Sequence, residues 1–392
     1  MTLLIKLTDI MEFMMENYED SVDVLVIGGG TAGTIAAVQA GRAGAKTMLI
    51  EHGGQLGGAM TTGGVAFPGL FHAWGEQVIA GIGWELVTET VCLDNGVFPD
   101  FKDLSLRHWK HQFNLNQYLY VLLAEEKCIQ AGVQIVYYEN PFSVKHMDDA
   151  WRVECSGSGV HRVVDCKQII DCTGGADIVG MLGFPRLREE ETQPGSMLFK
   201  TNTPYLPGQE QLEAVYVHGA DSSTSATRTS ANLEGRRAIL ERVKESDFKL
   251  THLQPEATFR ESYRIVGEKK VTHDDYVSGV KYDDAICYAF YPVDLHTKDG
   301  VTPKYLEKAV VPTVPLGALI PKDSKNILVA GRCVSSDRLA NSALRVQASC
   351  MAMGQVAGAT AALAASLGNT PGNIELKKIK DMLVKYKAIV PF

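Results

Sequence analysis

One stretch constrains this chain more than any other: VDVLVIGGGTAGTIAAVQAGRAGAKTMLIE, residues 22–51. Residues 23–27 form a short β-branched apolar run, the composition of a buried parallel strand. Gly28-Gly29-Gly30-Thr31-Ala32-Gly33 follows directly and opens a segment, 34–42, of helix-forming composition. A second strand is expected over 46–50, ending at Glu51, twenty-one residues beyond Gly30. Each part has a mechanical role. Gly28 permits a tight turn, Gly30 lets the backbone approach a diphosphate, and Gly33 lets the helix sit close on the strand. The free N–H groups where the helix starts, around Thr31 and Ala32, favour an anion. Glu51, with His52 beside it, is placed to accept hydrogen bonds from ribose hydroxyls. Strand, turn, helix, strand and acid at this spacing mark a βαβ unit that binds a dinucleotide. NAD, NADP and FAD can all use it, so the motif alone leaves the three open.

The rest of the composition excludes several classes. At 392 residues, 45% apolar and 21% charged, the chain describes an ordinary soluble protein with two or three structural units. A net charge of −8 argues against nucleic acid as a partner. The eight cysteines contain no Cys-x-x-Cys pair, which disfavours a disulfide framework, a zinc ribbon and an iron–sulfur cluster; no metal site is expected. Residues 1–20 mix acids into their apolar residues and lack a small-residue cleavage site, so they do not read as a signal peptide. The longest low-charge run, 351–368, consists largely of Ala, Gly and Met and is expected to be a tightly packed core helix rather than a membrane span. A cytoplasmic protein without a membrane partner is the expectation; the oligomeric state is left open.

The residues after Glu51, EHGGQLGGAMTTGG, form a second glycine-rich turn that would let extended backbone run along a diphosphate toward a buried ring. This passage resembles the fumarate reductase and heterodisulfide reductase A-like branch of the glutathione-reductase superfamily, and more closely a bacterial family of FAD-dependent oxidoreductases. Gly57, Gly58 and Thr61 or Thr62 match the Gly-Gly pair and the hydroxyl residue that lie beside the flavin in that superfamily. QIIDCTGGADIVGMLG (168–183) resembles the strand and Thr-Gly turn near the adenosine half, with Thr173, Gly174 and Asp177 as the matching residues. NILVAGRCVSSD (326–337) resembles the late strand whose glycine, here Gly331, sits by the ribityl chain and diphosphate. Many relatives have Gly-Asp there; this chain has Gly331-Arg332. The resemblance implies that the helix in NSALRVQASCMAMGQVAGATAALA (341–364) turns its N-terminal amides toward the flavin ring. FAD is the cofactor it implies.

The resemblance also implies an α/β fold with a Rossmann-like FAD-binding domain of glutathione-reductase type, a parallel sheet with helices, and an inserted α+β substrate or cap domain. Motif order divides the chain into a discontinuous FAD domain (20–62, 111–184 and 312–392), a cap (63–110 and 186–311) and an N-terminal extension (1–19). Strands are expected over 133–136 and 151–154, and an amphipathic helix over 113–130. Residues 219–235, rich in Ser and Thr, read as a mobile loop.

Chemistry should come from cap segments or from where they rejoin the FAD domain. Arg260 and Arg264 share a face if their segment is helical, and together could clamp a carboxylate. Tyr291, Asp294 and His296 lie close together in YAFYPVDLH, with His296 the candidate proton donor or acceptor. Arg345 precedes the last helix and could meet flavin or substrate. Phe67, Phe71, His72 and Trp74 are candidates to line the ring pocket. No Cys-x4-Cys follows the first motif and no second GxGxxG appears, which disfavours a dithiol–disulfide reductase and a dedicated NADPH domain. The leading expectation is an FAD-dependent oxidoreductase moving a hydride between flavin and a small organic substrate, anionic if the fumarate-reductase likeness holds. An electron donor or acceptor is required but not identifiable. The alternatives are a flavin monooxygenase, or a flavin-carrying electron-transfer subunit that needs a partner protein.

Overall fold

The computed structural model describes residues 15–106, 108–202, 210–297, 300–301 and 303–392. Its centre is a seven-stranded sheet. In chain order its strands are β1 (Glu16–Ile27), β2 (Thr47–Glu51), β3 (Gln134–Tyr137), β4 (Asn140–Met147), β5 (Ala150–Gly157), β6 (Val160–Asp171) and β7 (Ile327–Val329). They lie in the order β3-β2-β1-β6-β5-β4, with β7 against β6. β3, β2, β1, β6 and β7 are mutually parallel. Along one edge β6 pairs with β1; along the other its first half pairs antiparallel with β5, and its last residues, Ile169–Asp171, pair with β7.

The continuous apolar runs in these strands are explained by burial on both faces. Val24 and Val26 face one core, whereas Val22, Leu25 and Ile27 face the other. The same alternation divides Leu49 from Met48 and Ile50, and Leu328 from Ile327 and Val329. Helix α1 (Thr31–Arg42) covers the first face together with the long helix Gln347–Leu367. These two helices pack almost backbone to backbone. A Cβ at Gly354 would stand 2.2 Å from the Ala32 carbonyl oxygen, and one at Gly358 would stand 2.3 Å from that of Ala36. The small residues of 351–368 therefore serve close packing, as expected. This helix is long and apolar enough to cross a membrane, but 78% of its most apolar window is buried inside the fold.

A second unit is built on the three-stranded antiparallel sheet Gly195–Asn202, Glu210–Val217 and Lys249–Leu253. The helix Ser225–Glu245 covers it, burying Ala231, Gly235 and Ile239 at four-residue intervals against Met197, Phe199 and Val217. This corrects the loop expected over 219–235. The Ser/Thr-rich start is a capping box, in which the Thr224 hydroxyl accepts from Thr227 N–H and the Thr227 hydroxyl accepts from Thr224 N–H. The apolar stripe that stabilises the helix continues beyond residue 235. The N-terminal extension is shorter than expected, because residues 16–19 already belong to β1; residues 1–14 lie outside the described residues. The helix Ile82–Leu93, grouped with the cap by motif order, packs on the main core. Its Glu85 carboxylate pairs with Arg42 at 2.8 Å and Lys127 at 2.7 Å.

Candidate functional site

The strands β1, β2, β6 and β7 all end at one edge of the sheet, where an open α/β fold places its ligands. A cavity of about 1140 Å³ starts there and runs to the cap sheet, so it exceeds the usual range for small-molecule pockets, about 300–1,000 Å³. Gly28, Gly30, Thr31, Ala32, Glu51 and His52 line its first end. Gly33 lies behind them as packing: a Cβ there would stand 1.8 Å from the Gly28 carbonyl oxygen. Around Gly30, by contrast, a Cβ would have no protein atom within 4 Å. The open space at this glycine is a cradle the protein leaves for something else.

The second glycine turn supports the first. Gly57 N–H donates to the Gly29 carbonyl at 2.8 Å, while Gly57 itself holds φ at +102° and does not line the cavity. Gly58 and Thr62 do line it. Thr61 does not: its buried hydroxyl donates to the Leu56 carbonyl. The Glu51 carboxylate is held in place by Gly29 N–H at 2.6 Å and Gly53 N–H at 2.7 Å. Burial pushes its pKa up, but the His52 hydrogen bond and these backbone donors outweigh burial and hold it below the ordinary carboxylate value.

Thr173, Gly174 and Asp177 follow β6 into the cavity wall, and Gly331 and Arg332 follow β7. Arg332 donates to the Gly174 carbonyl at 2.8 Å and to Ser222 Oγ at 2.6 Å, so it joins the Thr-Gly turn to the second unit. Asp171, which sequence reasoning missed, organises this corner. It is fully buried and accepts from Thr173 N–H and Oγ1–H and from the N–H groups of Ile178 and Val179. Burial raises its pKa to about 6. An acid on the last residue of a strand, just before a Thr-Gly turn, is the signal that could have found it.

The far end of the cavity gathers Tyr216, Arg260, Tyr291, Asp294, His296 and Arg345. Arg264 is not among them. Its segment is extended rather than helical, and its side chain, 4% exposed, turns away to pair with Glu189 at 2.5 Å. The guanidinium that joins Arg260 is that of Arg345, supplied by the end of the helix Arg338–Leu344. Arg260 Nη1 donates to the Pro194 carbonyl and Ser196 Oγ, both at 2.7 Å, and has no carboxylate partner among the described residues. Burial, then the nearby Arg345, pulls its pKa down to about 10. Arg345 donates to the Asp294 carbonyl at 3.1 Å and lies 3.6 Å from its carboxylate; its Nε is buried without a partner among the described residues. Gln193, another residue the sequence did not single out, accepts from His296 N–H at 2.9 Å and is itself fixed by Glu261.

His296 Nε2 lies 3.2 Å from Asp294 Oδ2. Burial raises the Asp294 pKa, but the His296 hydrogen bond and Arg345 more than reverse it, so the carboxylate is charged and can only accept. Nε2 therefore carries the ring hydrogen, which leaves the lone pair on Nδ1. Nδ1 is buried and without a partner among the described residues. Burial and the two arginines lower the His296 pKa against the pull of Asp294, so the ring is neutral at pH 7. Burial raises the Tyr291 pKa, keeping its phenol protonated. Of the four expected ring-pocket residues only Phe67 lines the cavity. Phe71 and His72 pack against Trp84, His72 also stacking on Phe101 with ring centroids 3.8 Å apart, and Trp74 packs against Phe290.

A sheet whose parallel strands end at a glycine cradle opening into a long cavity is the arrangement of a dinucleotide-binding protein. The chain belongs to the FAD dependent oxidoreductase family, whose model matches residues 23–203 and 188–383. It is an enzyme, and FAD is its cofactor. Its fold is similar to that of BexE, studied for oxidation during BE-7585A biosynthesis, at 12% identity and a TM-score of 0.51 over 93% of this chain and 66% of that one. Anhydrotetracycline hydroxylase OxyS from Streptomyces rimosus is similar at 13% identity and a TM-score of 0.47, over 94% of this chain and 66% of that one. A geranylgeranyl bacteriochlorophyll reductase-like protein from Thermoplasma acidophilum shares 12% identity at a TM-score of 0.46, over 94% of this chain and 83% of that one. At 12% identity the likeness to BexE is one of fold alone.

Proposed function

We propose that this enzyme oxidises a small organic anion, a carboxylate, by hydride transfer to FAD. The observation that carries the reading is the pairing of two guanidiniums, Arg260 and Arg345, with a neutral histidine whose free lone pair is buried. Bound FAD supplies the two-electron acceptor. The protein's own groups do the rest. Arg260, Arg345 and the neighbouring Arg338 together carry three positive charges against two carboxylates, Asp294 and Glu261, which leaves room for one substrate anion. Arg345 Nε, a donor without a partner among the described residues, belongs to one of these guanidiniums.

His296 Nδ1 is configured to accept a proton, not to give one, which favours the oxidation direction over reduction. Asp294 fixes the tautomer and favours the imidazolium that forms. Tyr291, protonated and on the cavity wall, accepts a hydrogen bond from Gln112 at 3.3 Å and adds a polar group to the same end of the cavity. An external electron acceptor, a small molecule or a protein, then reoxidises the enzyme.

The test is a titration of FAD-loaded protein with simple carboxylates, following the flavin absorption bands. A saturable perturbation, lost in Arg345→Met and absent with the corresponding amides, is expected. Equal perturbation by the amides would remove the anion site.

A further inference from the structure

We infer that Arg228, on the second unit, is a cofactor-binding residue that straps the adenosine diphosphate half of FAD into its cradle. The inference rests on the FAD assignment and adds to it a residue outside the sheet domain.

Arg228 stands in the first turn of the helix Ser225–Glu245, and its side chain lines the cavity. Its Nη2 lies 3.0 Å from His52 Nε2 and donates to Glu256 at 3.0 Å. His52 Nδ1 in turn lies 2.8 Å from Glu51 Oε1, the acid that closes the dinucleotide motif. A continuous polar chain thus runs from the backbone N–H groups of Gly29 and Gly53 through Glu51 and His52 to Arg228. The same strap is pinned six residues earlier, where Ser222 Oγ accepts from Arg332 beside the Thr-Gly turn. Both contacts lie on the cavity wall, and both cross from the second unit to the sheet domain.

The charges suit an anion. Arg228 is near enough to Arg332 to act on it, and both line the cavity into which the Gly30 cradle opens. The Arg228–Glu256 pair is partly exposed, at 36% and 38%, so it is weak and exchangeable. A diphosphate compensates that guanidinium better than one solvated carboxylate does. Dinucleotide binding and docking of the second unit are then coupled through one side chain.

The experiment measures FAD binding to apoprotein by quenching of flavin fluorescence, with ADP as competitor and FMN as the ligand lacking the adenosine half. Arg228→Ala is expected to bind FAD and ADP roughly tenfold more weakly, as loss of one charge-assisted contact predicts. FMN, which keeps only one of the two phosphates, should lose less affinity than FAD, and Arg228→Lys should recover part of the loss. Far-UV circular dichroism of each variant at the titration temperature separates a binding defect from unfolding. Unchanged FAD and ADP affinity in folded Arg228→Ala, or an equal loss for FMN, overturns the inference. If the wild-type apoprotein takes up no FAD, it is the cofactor assignment that falls instead.

Discussion

His296 Nε2 lies 3.2 Å from the Asp294 carboxylate, while Nδ1 of the same ring is buried with no partner among the described residues. This arrangement makes the ring a base whose free side has no competing donor among the described residues. His296→Gln is therefore expected to slow substrate-driven flavin reduction by about 10²–10⁴-fold. Asp294→Asn should give a substantial part of that loss, because an amide can donate to Nε2 and so favour the wrong tautomer. The His296 pKa is lowered from 6.5, so the base form is present at neutral pH. The rate should fall as pH drops through that lowered value, and this acid limb should vanish in His296→Gln. Stopped-flow absorbance across pH checks both points.

The arginines separate binding from folding. Arg260→Ala or Arg345→Ala removes a charge-assisted contact, about 1.5–3 kcal/mol, and should raise KM roughly 10–100-fold. Arg264→Ala should leave KM near normal but destabilise the fold by about 1 kcal/mol, since it removes a buried guanidinium whose partner, Glu189, is itself 37% exposed. Steady-state kinetics beside thermal denaturation distinguish the two outcomes.

Gly30 and Gly33 should fail in opposite ways. A side chain at Gly30 meets no protein atom, and its φ of −64° is ordinary, so Gly30→Val should fold but retain no FAD. Gly33→Ala drives a methyl into the Gly28 carbonyl and should cost about 2–4 kcal/mol of stability before any question of cofactor arises. Denaturation of the apoproteins and the flavin content of the purified variants decide it.

His72 gives a pH signature of stability. Burial holds its pKa at about 4 against 6.5 in an unfolded chain. Between those values the unfolded state binds more protons, so stability should fall as pH drops from 6.5 to 4 and the slope should end below 4. After discounting for the ring's partial exposure, the loss is roughly 1–2 kcal/mol. His72→Phe keeps the stack on Phe101, removes the buried Nδ1, and should flatten that slope in denaturant titrations.

What sequence revealed was what is local. Gly28, Gly30, Gly33 and Glu51 lie within one βαβ unit, where spacing alone sets geometry. Arg260 and Arg264 illustrate the limit: four-residue spacing means a shared face only in a helix, and that segment is extended. Arg345 joins Arg260 through tertiary packing, for which no spacing rule exists. The helix Ser225–Glu245 was hidden because its first ten residues carry cap chemistry and little apolar bulk; its buried stripe continues to Ile239. Arg228 was lost with it. Thr61 and Thr62 are adjacent, and only the turn geometry decides which one faces the cavity.

The most direct measurement is the absorption of FAD-loaded protein mixed anaerobically with hydroxy and amino carboxylic acids, each beside its methyl ester. At least one acid should bleach the oxidised flavin bands, its ester should do so far more slowly, and Arg345→Ala should remove the difference. Bleaching by the esters as fast as by the acids, or by none of the acids while uncharged compounds succeed, would contradict the proposed function.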